Sequence, residues 1–176
     1  MMPVRTDHPA IDSPPTDSRP PRRWLILFLL LILTLGIGFV GSLTTLPQIP
    51  TWYATLNKPS FTPPNGLFGP VWTLLYVMMA VAAWRVWTQA TSGAARRAAL
   101  TAFFVQLAPN AVWSPVFFGL NAPAFGLIVI VGLLVALAAT LVLFSRVDRI
   151  AGLLLVPYLA WVAFATALNG AIVVLN

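Results

Sequence analysis

Read for polarity alone, the chain alternates long uncharged apolar runs with short basic or proline-rich breaks. The runs cover residues 24–43, 67–84, 98–118, 124–144 and 150–175. About 20 residues at a helical rise of 1.5 Å cross the roughly 30 Å hydrocarbon core of a bilayer. None of the runs has the in/out alternation of a barrel strand, so each predicts a membrane helix and together they predict a bundle of five. Residues 1–23 hold Pro3, Pro9, Pro14, Pro15, Pro20 and Pro21 among polar groups and predict a disordered extension. Residues 44–65 are too long for an ordinary connection. From Trp52 the sequence WYATLNKPSFTPPNGLFGPVWTLLY carries Pro59, Pro63, Pro64 and Pro70. Prolines lack the N–H that a helix interior needs, so the first part of this stretch predicts a stiff aromatic loop, placed as a lid over the bundle. Pro109 lies inside the third run, where it frees the Val105 carbonyl and predicts a kink.

Composition strengthens the membrane reading. Hydrophobic residues make up 59% of the chain and charged ones 8%, with a mean hydropathy of +0.88, more apolar surface than one soluble core of 176 residues buries. The net charge of +6 comes from residues at the ends of the runs, not from a face with interleaved contacts, so no nucleic-acid partner is expected. With five spans, Arg5, Arg19, Arg22, Arg23, Arg85, Arg96, Arg97, Arg146 and Arg149 fall on one side and Lys58 alone on the other. That asymmetry puts the N-terminus inside, and the long loop and C-terminus outside. The first run exceeds the 7–15 residues, roughly, of a signal-sequence core and is expected to be retained.

Several chemistries are excluded. Cysteine is absent, the only histidine is His8, and Asp148 is the sole carboxylate beyond the tail. Disulfides, thiolate nucleophiles and Cys/His metal sites therefore have no residues to form them, and no catalytic acid/base pair or ion-coupling relay lies within the spans.

Three helix faces carry candidate chemistry. Trp72 and Tyr76 are four apart on the second run. Gln106, Asn110, Trp113 and Phe117 form a stripe on the third, and Tyr158, Trp161, Ala165 and Asn169 another on the fifth. Trp72, Trp113 and Asn169 lie about 9 Å from the outer helix ends, and Tyr76, Asn110 and Ala165 about 13–15 Å. Antiparallel helices thus bring aromatic and amide groups to matching depths beneath the loop. Trp24, Trp84 and Trp87, near the inner charges, read as interfacial anchors. The deeper Trp72 and Trp113 serve either a ligand or packing. Asn110 and Asn169 serve either a ligand or hydrogen bonds between helices.

These residues resemble a known family. WYATLNKPSFTPPNGLFGPVWTLLY, QLAPNAVWSPVFFG from Gln106 and PYLAWVAFATALN from Pro157 are similar, in that order, to blocks of the TspO/MBR family, which includes bacterial tryptophan-rich sensory proteins and the mitochondrial translocator protein. The resemblance implies a five-helix bundle in a membrane, here expected to be the bacterial cell membrane. It implies a pocket for porphyrins such as protoporphyrin IX or other hydrophobic small molecules, closed by the first loop. The family's pocket positions fall on Trp52, Tyr53, Trp72, Tyr76, Asn110, Trp113, Trp161, Ala165 and Asn169. Lys58 is placed at the rim, to meet a propionate. The porphyrin is expected as ligand, with no obligatory cofactor, and the family's habit of dimerising allows a homodimer. Light-dependent porphyrin degradation and passive porphyrin transport are the alternatives to a receptor. The family's sterol motif needs a Tyr and then a basic residue after the last Asn; Gly170 follows Asn169 and no cation follows it, so sterol recognition by that motif is not expected.

Overall fold

The computed structural model describes residues 20–176, and the regular structure among these is all helix, with no strand. The expected disordered extension lies outside the described residues as far as residue 19. Residues 20–23 belong instead to the first turn of helix α1 (Pro20–Thr45), where a proline's missing N–H costs no hydrogen bond. A short turn, α2 (Trp52–Thr55), interrupts the long connection. Four more long helices follow: α3 (Phe68–Gln89), α4 (Gly93–Ser114), α5 (Pro123–Val147) and α6 (Arg149–Leu175). α3 outruns its expected end at residue 84, and α4 begins before residue 98. Both differences arise because a charged residue marks the membrane boundary without stopping a helix, so Arg85, Arg96 and Arg97 lie on helical turns beyond it.

The surface, more than the core, departs from that of a water-soluble protein. Phe28, Phe39, Leu74, Phe125, Ile128 and Leu153 are exposed, whereas Thr34, Gln106, Asn110, Thr140 and Asn169 are buried. Hydrocarbon solvates the first group, and the second must find partners within the bundle. Four of the five long helices, all but α4, are long and apolar enough to cross a membrane.

The basic end is held together by specific contacts. Trp24 stacks on Trp84 at 5.6 Å between centroids, the Trp84 indole N–H donates to the Arg23 carbonyl, and the Arg23 guanidinium lies over both rings. Two of the three tryptophans expected near the inner charges thus join α1 to α3. Arg85 of α3 pairs with Asp148, which also accepts from the Ile150 N–H as N-cap of α6. The Arg85 hydrogen bond holds the Asp148 carboxyl below the usual carboxylate range. Because the folded value is lowered, the pair's stabilisation is present above the unfolded carboxylate range and is lost as pH falls through the folded value. With both side chains partly exposed it contributes about 1 kcal/mol at most. The thermal midpoint of the wild type in detergent is therefore expected to converge on that of Asp148→Asn below about pH 4. A difference that stays constant with pH would contradict this role.

Pro109 is accommodated inside a continuous α4. The expected third helix loses its α-geometry only at Pro115–Gly119, a π-turn closed by Leu120 N–H to Pro115 O at 2.9 Å. Asn121, at φ 52°, then reverses the chain in the left-handed region that Asn tolerates better than most residues. The π-turn brings Phe117 and Phe118 side by side, both buried.

Candidate functional site

The site begins where α1 crosses α3. The Thr34 hydroxyl lies 3.0 Å from the Tyr76 carbonyl and 3.1 Å from its own Leu30 carbonyl, a side chain satisfied on both helices. One turn further, a Cβ on Gly38 would sit 2.4 Å from the Tyr76 ring, so only glycine lets the ring lie against the α1 backbone. Between this level and the loop lies a cavity of about 420 Å³, within the range of small-molecule sites.

Trp72 and Tyr76 form one wall, with ring centroids 5.6 Å apart. Asn110, Trp113 and the two π-turn phenylalanines form a second, and Trp161, Ala165 and Asn169 of α6 a third. Tyr53 reaches in from the loop, and α1 supplies the remaining side through Gly38, Gly41, Ser42 and Thr45. Leu35, Phe39 and Leu46 of the α1 segment and Asn65, Gly69 and Thr73 of the α3 segment are lining residues that are also exposed. The mouth therefore opens between α1 and α3, on the lipid-facing side.

Eight of the nine pocket residues expected from sequence line this cavity; Trp52 does not. On a helical turn consecutive side chains diverge by about 100°. Tyr53 thus turns inward while Trp52 packs edge-on against Phe117 at 5.7 Å and Phe118 at 6.4 Å. Lys58 is engaged within the loop. Its ammonium donates to the carbonyls of Tyr53 and Leu56, both at 2.8 Å, and lies 5.0 Å from the Tyr53 ring centre. It caps the C-terminal end of α2, whose carbonyls have no helical partner, and is not among the lining residues.

The loop is held down at two points. Tyr53, Phe117, Phe118, Leu168 and Ile172 form a buried cluster with Trp52 and Leu56 packed on it. Each aromatic pair of this kind contributes about 0.5–1.5 kcal/mol beyond its buried area. Further along, the Asn57 N–H donates to the Asn176 side-chain oxygen at 2.9 Å, and the Asn176 amide donates back to the Asn57 carbonyl at 3.0 Å.

Both cavity amides hold helices together. The Tyr76 hydroxyl donates to Asn110 Oδ1 at 2.9 Å, Asn110 Nδ2 donates to the Tyr158 hydroxyl, and that hydroxyl donates to Gln106 Oε1 at 3.3 Å. This relay joins α3, α4 and α6. Asn169 accepts from the Trp113 indole N–H at 3.3 Å and donates to the Pro123 carbonyl at 2.8 Å. Tyr158 and Gln106, which share stripes with the lining residues, lie behind the wall and are fully buried. Among the described residues, two buried side-chain atoms lack a partner, Gln106 Nε2 and Trp161 Nε1. The second belongs to a lining residue, and buried donors in folded proteins nearly always have an acceptor.

The contribution of α1 was not read from sequence. Its signal is the small-residue spacing of Gly38, Gly41, Ser42 and Thr45, which makes space by having little side chain.

Comparison with known proteins gives a family match over most of the chain. The sequence model of the TspO/MBR family matches residues 28–175. A tryptophan-rich protein TspO of Archaeoglobus fulgidus is 45% identical over 146 residues, covering 83% of this chain and 94% of the relative. One from Chlorobaculum tepidum is 44% identical over 153 residues, covering 86% and 96%. The human translocator protein is 41% identical over 133 residues, covering 74% and 78%. With several apolar helices able to span a bilayer, an aromatic cavity at one end and this match over most of its length, the chain is a multi-pass membrane protein that belongs to the TspO/MBR family.

Proposed function

We propose that the protein is a membrane receptor for flat, largely apolar ligands, with porphyrins of the protoporphyrin IX kind as the best fit. The observation that carries this is the cavity itself: tryptophans on three sides and one indole N–H without an acceptor. The macrocycle lies against Trp72 and Trp161 and offers a polar edge to Trp161 Nε1. Its entry is from the bilayer, through the mouth between α1 and α3. The first loop, pinned through Tyr53 and Asn57, acts as the lid.

In this reading all five long helices cross the membrane. α4 is 22 residues long and directs Gln106 and Asn110 inward, which explains its lower apolarity without removing it from the bilayer. The basic end, tied together by the Trp24–Trp84 stack and the Arg85–Asp148 pair, faces the inside, and the loop and cavity face the outside.

The test is tryptophan emission from purified protein titrated with protoporphyrin IX and, separately, with haem. Among the described residues no imidazole, thiol or thioether lines the cavity, so none of them offers an iron a nitrogen or sulfur ligand. Saturable quenching by the metal-free ring, tighter than by haem and weakened in Trp161→Phe, is the expected result. Non-saturable quenching, or quenching equal in the variant, would remove the proposal.

A further inference from the structure

A second cavity lies at the opposite, basic end of the bundle, where the start of α1, the end of α3 and the start of α4 meet. It measures about 580 Å³ and is lined by Arg22, Trp87, Arg96, Arg97, Leu100, Thr101 and Phe104. Three guanidinium-bearing side chains converge there, and among the described residues no carboxylate lines the cavity. Like charges brought together repel unless an anion is shared between them. Other arginines at this end have different occupations: Arg23 lies over Trp24 and Trp84, and Arg85 is paired with Asp148.

The rest of the lining is apolar and continues along the helix. Leu100, Phe104, Ala108 and Val112 follow at four-residue spacing on α4, and the last three are exposed. This row runs about 18 Å from the arginines along the lipid-facing surface. A cationic head end joined to an apolar track matches an amphiphile with an anionic head and a long chain, and a free anion makes no use of the track. Trp87, half-buried beside the arginines, has the amphipathic ring that suits headgroup depth.

We propose that this cavity binds the phosphate headgroup of an anionic phospholipid, with one acyl chain laid along the Leu100–Val112 row of α4. The guanidiniums supply paired N–H donors to phosphate oxygens, and the anionic headgroup offsets the mutual repulsion of the three arginines. The site is separate from the aromatic cavity and does not depend on what that cavity holds.

The experiment uses the full chain in neutral detergent and brominated phospholipids, which quench nearby tryptophan. The Trp87 share of the emission is taken as the difference from Trp87→Phe. Brominated phosphatidylglycerol is expected to quench that share at lower mole fraction than brominated phosphatidylcholine with the same chains. Arg22→Gln, Arg96→Gln and Arg97→Gln are each expected to reduce the preference, roughly fivefold per arginine. Protoporphyrin titration of the same variants checks that the fold is intact, and its isotherm should not change. Equal quenching by the two lipids, or a preference retained in the triple variant, would overturn the proposal. Displacement of the brominated lipid by inorganic phosphate at equal concentration would assign the cavity to a free anion and would also overturn it.

Discussion

Ala165→Phe is expected to weaken protoporphyrin IX binding about 10- to 100-fold, because forcing extra atoms against a fitted partner costs about 1–3 kcal/mol. Ala165 is 8% exposed and lines the aromatic cavity one turn from both Trp161 and Asn169. A phenyl group there projects into space that the ligand needs, while every hydrogen bond between helices remains in place. The thermal midpoint should hold or rise, since the new side chain fills empty volume. Loss of affinity without loss of stability therefore separates a ligand chamber from a packing defect. Unchanged affinity in a stable variant would mean that the porphyrin binds elsewhere.

Asn110→Leu is expected to have the reverse signature, with stability falling first. The substitution keeps the branching at Cγ but leaves the Tyr76 hydroxyl without its acceptor and Tyr158 with Gln106 alone. A buried unpartnered hydroxyl costs about 1–3 kcal/mol in water-soluble proteins, and polar contacts between membrane helices average nearer 0.6 kcal/mol, to about 1.7 at most. The larger estimate applies here because α3, α4 and α6 meet in one relay, so a single change loosens three helices. A midpoint lower by roughly 2–6 °C is the expected reading. Leu at Gln106, which joins the relay through one 3.3 Å contact, should cost less. Equal, small effects at both positions would show that the relay carries little stability.

Much of this site was legible because membrane helices simplify the inference. Four-residue spacing put Trp72 with Tyr76, and Trp161 with Ala165 and Asn169, on shared faces, and equal depths from the helix ends brought those faces level. What remained hidden depends on facts that spacing does not carry. Gly38 and Gly41 shape a wall by lacking a side chain, so no chemical signature marks them. Trp52 lies outside the lining because a single helical turn sends adjacent aromatics in different directions, and the proline-rich context of the loop conceals that turn. Lys58 looked available only because the carbonyls it caps exist once α2 has formed. Spacing leaves the two amides between ligand and helix partners, and their hydrogen bonds run between helices.

The central claim is that the aromatic cavity between α1, α3, α4 and α6 is where the ligand resides, and an experimental structure of the protein with protoporphyrin IX tests it most directly. The predicted result is a macrocycle between Trp72 and Trp161 beneath Tyr53, one edge in the mouth between α1 and α3 and one polar group within hydrogen-bonding reach of Trp161 Nε1. A macrocycle on the outer lipid-facing surface, or with its propionates on Arg22, Arg96 and Arg97 and the aromatic cavity unchanged, would contradict the account.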